Sequence, residues 1–193
     1  MAGMGKFVRR AVLGVGALVA LSATASAQGA VSVSPASTAV RVSVNSFFLP
    51  VKGGSFNDVS GAITVDFARP ERSRIAVKVD ARTLDAGVPR YNAFLRGASV
   101  FDVARYPSMT FTSTRMTRID DTHARFDGLL TMRGVTRPLS VIATAVRDPA
   151  NPRGPTRFTA RGQLNRLEFG IDRGYPLVTA MVDFVLTTQP SAD

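Results

Sequence analysis

Catalysis in a protein interior needs side chains that hold a proton, a metal or a nucleophilic electron pair, and this chain offers few of them. It has no cysteine and one histidine, His123. The missing thiols exclude disulfide frameworks, Cys-ligated zinc, CxxC redox chemistry and thiol nucleophiles together. A lone imidazole is nearly as limiting for Ser-His-Asp triads, HExxH zinc sites and His-based metal clusters. His123 stands beside Asp120-Asp121 in a turn signal, where a histidine is usually just solvated. The strand carboxylates Asp66, Asp80 and Asp183 fall on the outward phase of their segments, so no nucleophile-base pair is suggested. No catalytic residue, metal ligand or cofactor is expected.

Function must then rest on surfaces, and surfaces are set by the elements that carry them. At 193 residues, 45% hydrophobic and 20% charged, the chain fits one folded domain. The first 27 residues stand apart. Lys6, Arg9 and Arg10 precede an apolar run from Ala11 to Leu21, and Ala25-Ser26-Ala27 has the small-x-small shape that signal peptidase cuts after. The run is shorter than the roughly 20 residues of a spanning helix. Residues 1–27 are therefore expected to be a cleaved signal peptide, with 28–193 a single domain in the periplasm.

Removal of those three cations leaves 21 basic against 14 acidic residues, a net charge of +7. The charges sit singly at alternating positions (Arg74, Lys78; Arg157, Arg161), as on the wet face of a sheet. A nucleic-acid binder would gather them in a patch with exposed aromatics. No nucleic-acid partner is expected, and at most peripheral contact with anionic membrane lipid.

The remainder reads as strands. Val40, Val42 and Val44 alternate with polar neighbours, as do Ile63, Val65 and Phe67, then Ile75, Val77 and Val79. Met109 and Phe111 lead a fourth segment, Ala124, Phe126, Gly128, Leu130 and Met132 a fifth, and Leu139, Val141 and Ala143 a sixth. Phe158, Ala160, Gly162 and Leu164 make a seventh; Ala180, Val182, Phe184 and Leu186 an eighth. Turn signals separate several of them, among them Gly53-Gly54, Pro70, Asp120-Asp121 and Arg133-Gly134. Eight antiparallel strands with one apolar face are expected to close into a barrel, which removes the sheet edges. Such a barrel is either filled by its own side chains or holds one small ligand. Small inward residues (Ala124, Gly128, Ala143, Ala160, Gly162, Ala180) leave room; Phe67, Phe111, Phe126, Phe158 and Phe184 could fill it, and the pattern alone does not choose.

One segment breaks the rhythm. In VPRYNAFLRGASVFDVARYP, Tyr91, Phe94 and Leu95 fall at helical spacing behind Pro89. A short helix is expected over one mouth, with Phe94, Leu95 and Phe101 on its buried side, as a lid on a ligand channel or as a plug.

The ordered blocks GSFNDVSGAITVDFARPERSRIAVKVDARTLDAG, FLRGASVFDVARYPSMTFTST, FDGLLTMRGVTRPLSV and ARGQLNRLEFGI resemble the YceI family of periplasmic proteins. The likeness runs from about Ala36 to Thr187. Its most specific pieces are Leu95-Arg96 with Phe101-Asp102 and Tyr106-Pro107, then Gly128-Leu129-Leu130-Thr131 with Gly134-Val135-Thr136-Arg137-Pro138, and Asn165-Arg166 with Phe169-Gly170. The resemblance implies a lipocalin-like antiparallel barrel whose apolar channel binds a polyisoprenoid or similar amphiphilic lipid without known catalysis. Family members are also often found as dimers, so a homodimer is compatible with the resemblance, although the residue pattern itself does not reveal one. The chain departs from the family at Ser37-Thr38, where His-Ser is usual, and at Tyr91-Asn92-Ala93-Phe94, where an Arg-Asp-x-His run is usual. Ala86 replaces a usual Thr. Phe94 in place of an imidazole makes that end of the channel more apolar.

The expected function is a periplasmic carrier of an isoprenoid-type lipid, held by Phe67, Phe94, Leu95, Phe101, Phe111, Phe126, Phe158, Ala160, Phe169 and Phe184. The alternative is a hydrolase or isomerase acting on an apolar substrate inside the barrel.

Overall fold

The computed structural model describes residues 29–33, 38–46, 53–66, 69–146 and 157–188. The proposed signal segment and Phe67 lie outside the described residues. Ten strands form one antiparallel sheet: β1 (Gly29–Val33), β2 (Thr38–Ser46), β3 (Gly54–Phe56), β4 (Val59–Val65), β5 (Arg74–Asp80), β6 (Ser108–Arg118), β7 (His123–Met132), β8 (Val135–Val146), β9 (Arg157–Asn165) and β10 (Val178–Thr188). Their order is β1-β4-β5-β6-β7-β8-β9-β10-β2-β3. The sheet curls into a nearly closed barrel, with the short β1 and β3 at its two ends.

All eight expected strands are present, and β1 and β3 are additional. β3 is three residues long, too short to show alternation, and begins at a glycine read as a turn. It is secured from outside the sheet pattern by Ser55 and Asp85, which exchange two backbone hydrogen bonds of 2.8 Å.

Period-two alternation becomes a barrel wall most plainly in β5, where Ile75 and Val77 are buried and Arg74, Ala76 and Lys78 are exposed. β6 breaks its own alternation. Met109 and Ser113 are buried on one phase and Met116 on the other, because the register with β7 shifts between Ser113 and Arg115. That one-residue bulge returns Met116 to the interior.

Asp66 is a correction to the outward placement. It is 1% exposed, because β4 has ended at Val65 and the alternation no longer governs it. Its carboxylate instead organises the following turn. Arg69 N–H donates to Oδ1 at 3.0 Å and Arg69 Nε lies 3.4 Å from Oδ2, while Asp66 N–H donates to Ser73 Oγ at 2.9 Å. Asp80 caps the 3-10 turn at Ala81–Thr83, and Asp183 faces solvent, accepting from Gln163.

The β7–β8 hairpin turns on Arg133 and Gly134, with φ of 50° and 73°. Two successive positive φ values define the type I′ turn that suits strand twist. A side chain at Gly134 would also meet the Tyr106 ring, 2.8 Å from an added Cβ. Gly134→Val is expected to cost roughly 1–3 kcal/mol, seen as a lowered melting temperature. An unchanged melting curve would show that the turn tolerates the side chain.

Candidate functional site

Helix α1 (Pro89–Arg96) opens with proline at its first position, where no intrahelical N–H is needed, and stops at Gly97. It connects β5 to β6 and so lies at the barrel end that also holds the β7–β8 turn. Polar groups fix one side of it. Arg96 donates to the Leu84 carbonyl through Nε (3.1 Å) and Nη2 (2.5 Å), and Asn92 accepts from Ala86 N–H (2.7 Å) and donates to Asp85 (2.8 Å). Arg133 ties the segment after the helix to the far rim, donating to the Ala98 and Gly170 carbonyls. On its other side Tyr91 and Phe94 stack, with ring centroids 6.2 Å apart.

Beneath that side lies a cavity of 420 Å³, within the usual range of ligand pockets. Its wall is almost entirely apolar: Val40, Ile63, Val77, Phe111, Leu139, Val141, Ala160, Phe184 and Leu186 deeper in, Phe56, Leu84, Val100, Met109 and Met132 higher up. Tyr91, Phe94, Arg173, Gly174 and Val178 frame the mouth. The helix covers without sealing. No residue of α1 is buried, and Phe94 is 41% exposed, contrary to the expectation that it lies on a buried side. Large apolar side chains crowd that rim, with Val88, Tyr175 and Leu177 also exposed.

The structure places six of the expected lining residues on the cavity wall: Phe94, Leu95, Phe101, Phe111, Ala160 and Phe184. Phe126, Phe158 and Phe169 are elsewhere. Phe126 and Phe158 pack with Met116, Ala124 and Ala143 and close the barrel at the end opposite the helix. Phe169 is buried in the cluster of Phe56, Val100 and Ile171 beside the mouth. Phe101 meets Phe56 edge to face at 5.7 Å.

The inward glycines explain how phenylalanines and a void coexist. An added Cβ at Gly128 would stand 2.8 Å from the Phe111 ring, and one at Gly162 would collide with the Phe184 ring directly across the β9–β10 ladder. Each glycine lets a ring lie flat on the wall instead of projecting into the channel. Ala160 faces Ala143 and Leu186 in its neighbours, so there the wall stays thin.

Sequence reasoning passed over Tyr91 as a lining residue and gave no role to Arg166 and Arg173. Arg166 is 5% exposed, which its polarity conceals. The signal lay in its frame: Asn165 accepts from Leu167 N–H at 3.0 Å, opening the 3-10 turn at Arg166–Phe169, and Gly170 ends it at φ 69°. That turn directs Arg166 under the following loop, where Nε donates to Thr179 O (2.9 Å), Nη1 to Ile171 O (2.7 Å) and Arg173 O (2.9 Å), and Nη2 to Val178 O (2.8 Å). Burial draws its pKa below the ordinary arginine value, partly offset by the nearby Asp172 charge.

His123 stands on the β6–β7 turn, at the closed end of the barrel. Its Nδ1 is 2.9 Å from both Asp120 oxygens, and Asp120 also accepts from Thr122 N–H, which holds that carboxylate well below its usual range. This arrangement shapes a solvent turn, and neither residue lines the cavity beneath the helix. Among the described residues no three His, Cys, Asp or Glu side chains gather as a metal site.

A family described as the YceI-like domain matches residues 32–189. A UPF0312 protein of Yersinia pestis is 29% identical over 138 residues, covering 70% of this chain and 71% of its own length. One from Azotobacter vinelandii is 27% identical over the same length. Among solved structures, Burkholderia cenocepacia BcnA superposes with a TM-score of 0.72 at 22% identity, over 80% of this chain and 97% of its own. A Saccharophagus degradans structure, described as a polyisoprenoid binding domain implicated in plant cell wall breakdown, does so with 0.59 at 14% identity, over 85% and 99%. The fold of these structures is the nearly closed barrel found here, and the sequence match spans nearly every described strand. The chain belongs to the YceI-like domain family.

Proposed function

We propose that this protein is a periplasmic carrier that holds the apolar tail of an isoprenoid-type lipid in its barrel, with residues 1–27 removed on export. The observation that carries the reading is the 420 Å³ apolar cavity opening beneath an uncovered helix. Burial there stabilises each methylene of a tail by about 0.8 kcal/mol, so every isoprene unit that the cavity encloses adds affinity. The wall supplies shape and apolar surface, and among the described lining residues no carboxylate or imidazole stands beside its hydroxyls, Thr110 and Tyr91. The polyisoprenoid-binding description of the Saccharophagus relative supports the same ligand class.

The test is mass spectrometry on protein purified from a periplasmic fraction. The intact mass is expected to correspond to a chain starting at Gln28, and the organic extract to contain a prenyl lipid in near-stoichiometric amount. A mass that retains Met1 would contradict export, and an extract free of lipid from a folded preparation would count against carriage.

A further inference from the structure

Five of the nine large apolar side chains that stand exposed among the described residues belong to two short segments, 88–96 and 171–177: Val88, Tyr91, Phe94, Tyr175 and Leu177. The other four, Ile119, Leu129, Ile142 and Met181, lie on the β6–β7 turn or along the strands, where single apolar residues are ordinary. Both segments reach the mouth, since Tyr91, Phe94, Arg173 and Gly174 frame it. Their charged residues are Arg90, Arg96 and Arg173 against Asp172 alone. Arg90 and Arg173 are exposed, and their side chains make no hydrogen bond or ion pair among the described residues.

A partner for this rim must satisfy apolar side chains and unpaired arginines together, and must do so around an opening. A rigid protein laid over it would leave the cavity at the centre of the contact, where an interface is ordinarily best packed. A second copy of the chain, mouth to mouth, would also set like charges against one another. The surface of an anionic bilayer meets all of these conditions. Its acyl chains are fluid and conform to the opening, its phosphates pair with guanidinium forks, and aromatic rings settle at headgroup level with aliphatic groups below them. We propose that the rim of the mouth docks on the surface of an anionic phospholipid bilayer, with Phe94, Tyr175 and Leu177 entering the interface and Arg90 and Arg173 on its phosphates. The proposal goes beyond the carrier reading, whose ligand and cavity it leaves unaltered, by naming the surface against which the mouth opens. An apolar tail then passes between leaflet and channel without crossing water.

The experiment is sedimentation of the purified protein with vesicles of phosphatidylglycerol and phosphatidylcholine in equal parts, or of phosphatidylcholine alone, neither containing prenyl lipid. Partitioning onto the anionic vesicles is expected to exceed that onto phosphatidylcholine by at least about tenfold, with a margin that shrinks as salt rises. Leu177 is 60% exposed and does not line the cavity, so Leu177→Glu is expected to weaken partitioning about tenfold or more while melting as the wild type does. Arg90→Glu, on the other segment and likewise off the cavity wall, is expected to weaken it about tenfold and repeats the test should Leu177→Glu disturb its loop. Ile119→Glu makes a similar change at the closed end, where Ile119 is 56% exposed, and is expected to partition as the wild type does. Wild-type protein that stays in solution, or that partitions equally onto both vesicles, would overturn the docking proposal and leave carriage intact, because the assay makes no use of a ligand in the cavity. Undiminished partitioning in both Leu177→Glu and Arg90→Glu, or an equal loss in Ile119→Glu, would overturn it by placing the contact elsewhere. A wild-type dimer that Leu177→Glu splits into monomers would overturn it in favour of a second copy on the rim.

Discussion

Arg166→Met is expected to destabilise the protein by roughly 3 kcal/mol or more, although it replaces a buried charge with an apolar side chain of similar reach. Removing the guanidinium takes from the carbonyls of Ile171, Arg173, Val178 and Thr179 the donor that holds them together. A buried polar group stripped of its partner costs about 1–3 kcal/mol, and water can rescue only those nearest the surface. The gain from relieving the desolvated charge offsets part of this loss and not all of it. In a domain of this size the melting temperature should fall by about 6–12 °C. Arg166→Lys should fall nearly as far, since one ammonium cannot span four carbonyls. A shift of under about 2 °C in Arg166→Met would show that the loop at the mouth holds itself without the arginine.

Ala160→Phe is expected to do the reverse, sparing stability and abolishing carriage. Ala160 is 8% exposed, lines the cavity at the edge of the Phe126–Phe158 cluster and pairs with Ala143 and Leu186 on the neighbouring strands, so a ring there is expected to project into the cavity. In a close-packed interior the same change would overpack the core at roughly 1–3 kcal/mol. Here the unfolding free energy should stay within about 1 kcal/mol of wild type. Affinity for a prenyl tail should drop at least about tenfold, equivalent to 1.4 kcal/mol. A large loss of stability with unchanged affinity would place the ligand elsewhere.

The sequence was most readable where one physical rule acted alone. Alternation in β5 and β7 set the inward face, the Arg133-Gly134 pair marked a turn, and Pro89 with the Tyr91/Phe94/Leu95 spacing marked the helix. Alternation states which way a side chain points but not how far along the barrel it stands. Phe111 and Phe126 are both inward, yet Phe111 borders the void and Phe126 closes the far end. Whether inward phenylalanines would fill the interior was likewise beyond the pattern, because the answer lay in cross-strand register: Phe184 opposite Gly162 lies flat on the wall. Asp66 and Met116 were hidden by a strand end and a bulge, each shifting the phase by one residue. Arg166 was hidden by its own charge, since burial of an arginine is set by the carbonyls that a later loop brings to it.

The central claim, that the barrel holds a lipid tail in its channel, is tested most directly by equilibrium titration of delipidated protein with a radiolabelled prenyl lipid, run on wild type and Ala160→Phe in parallel. The expected result is saturable one-to-one binding by the wild type and its loss in a variant that melts as the wild type does. Absence of saturable binding by folded wild-type protein, or equal binding by both proteins, would contradict it.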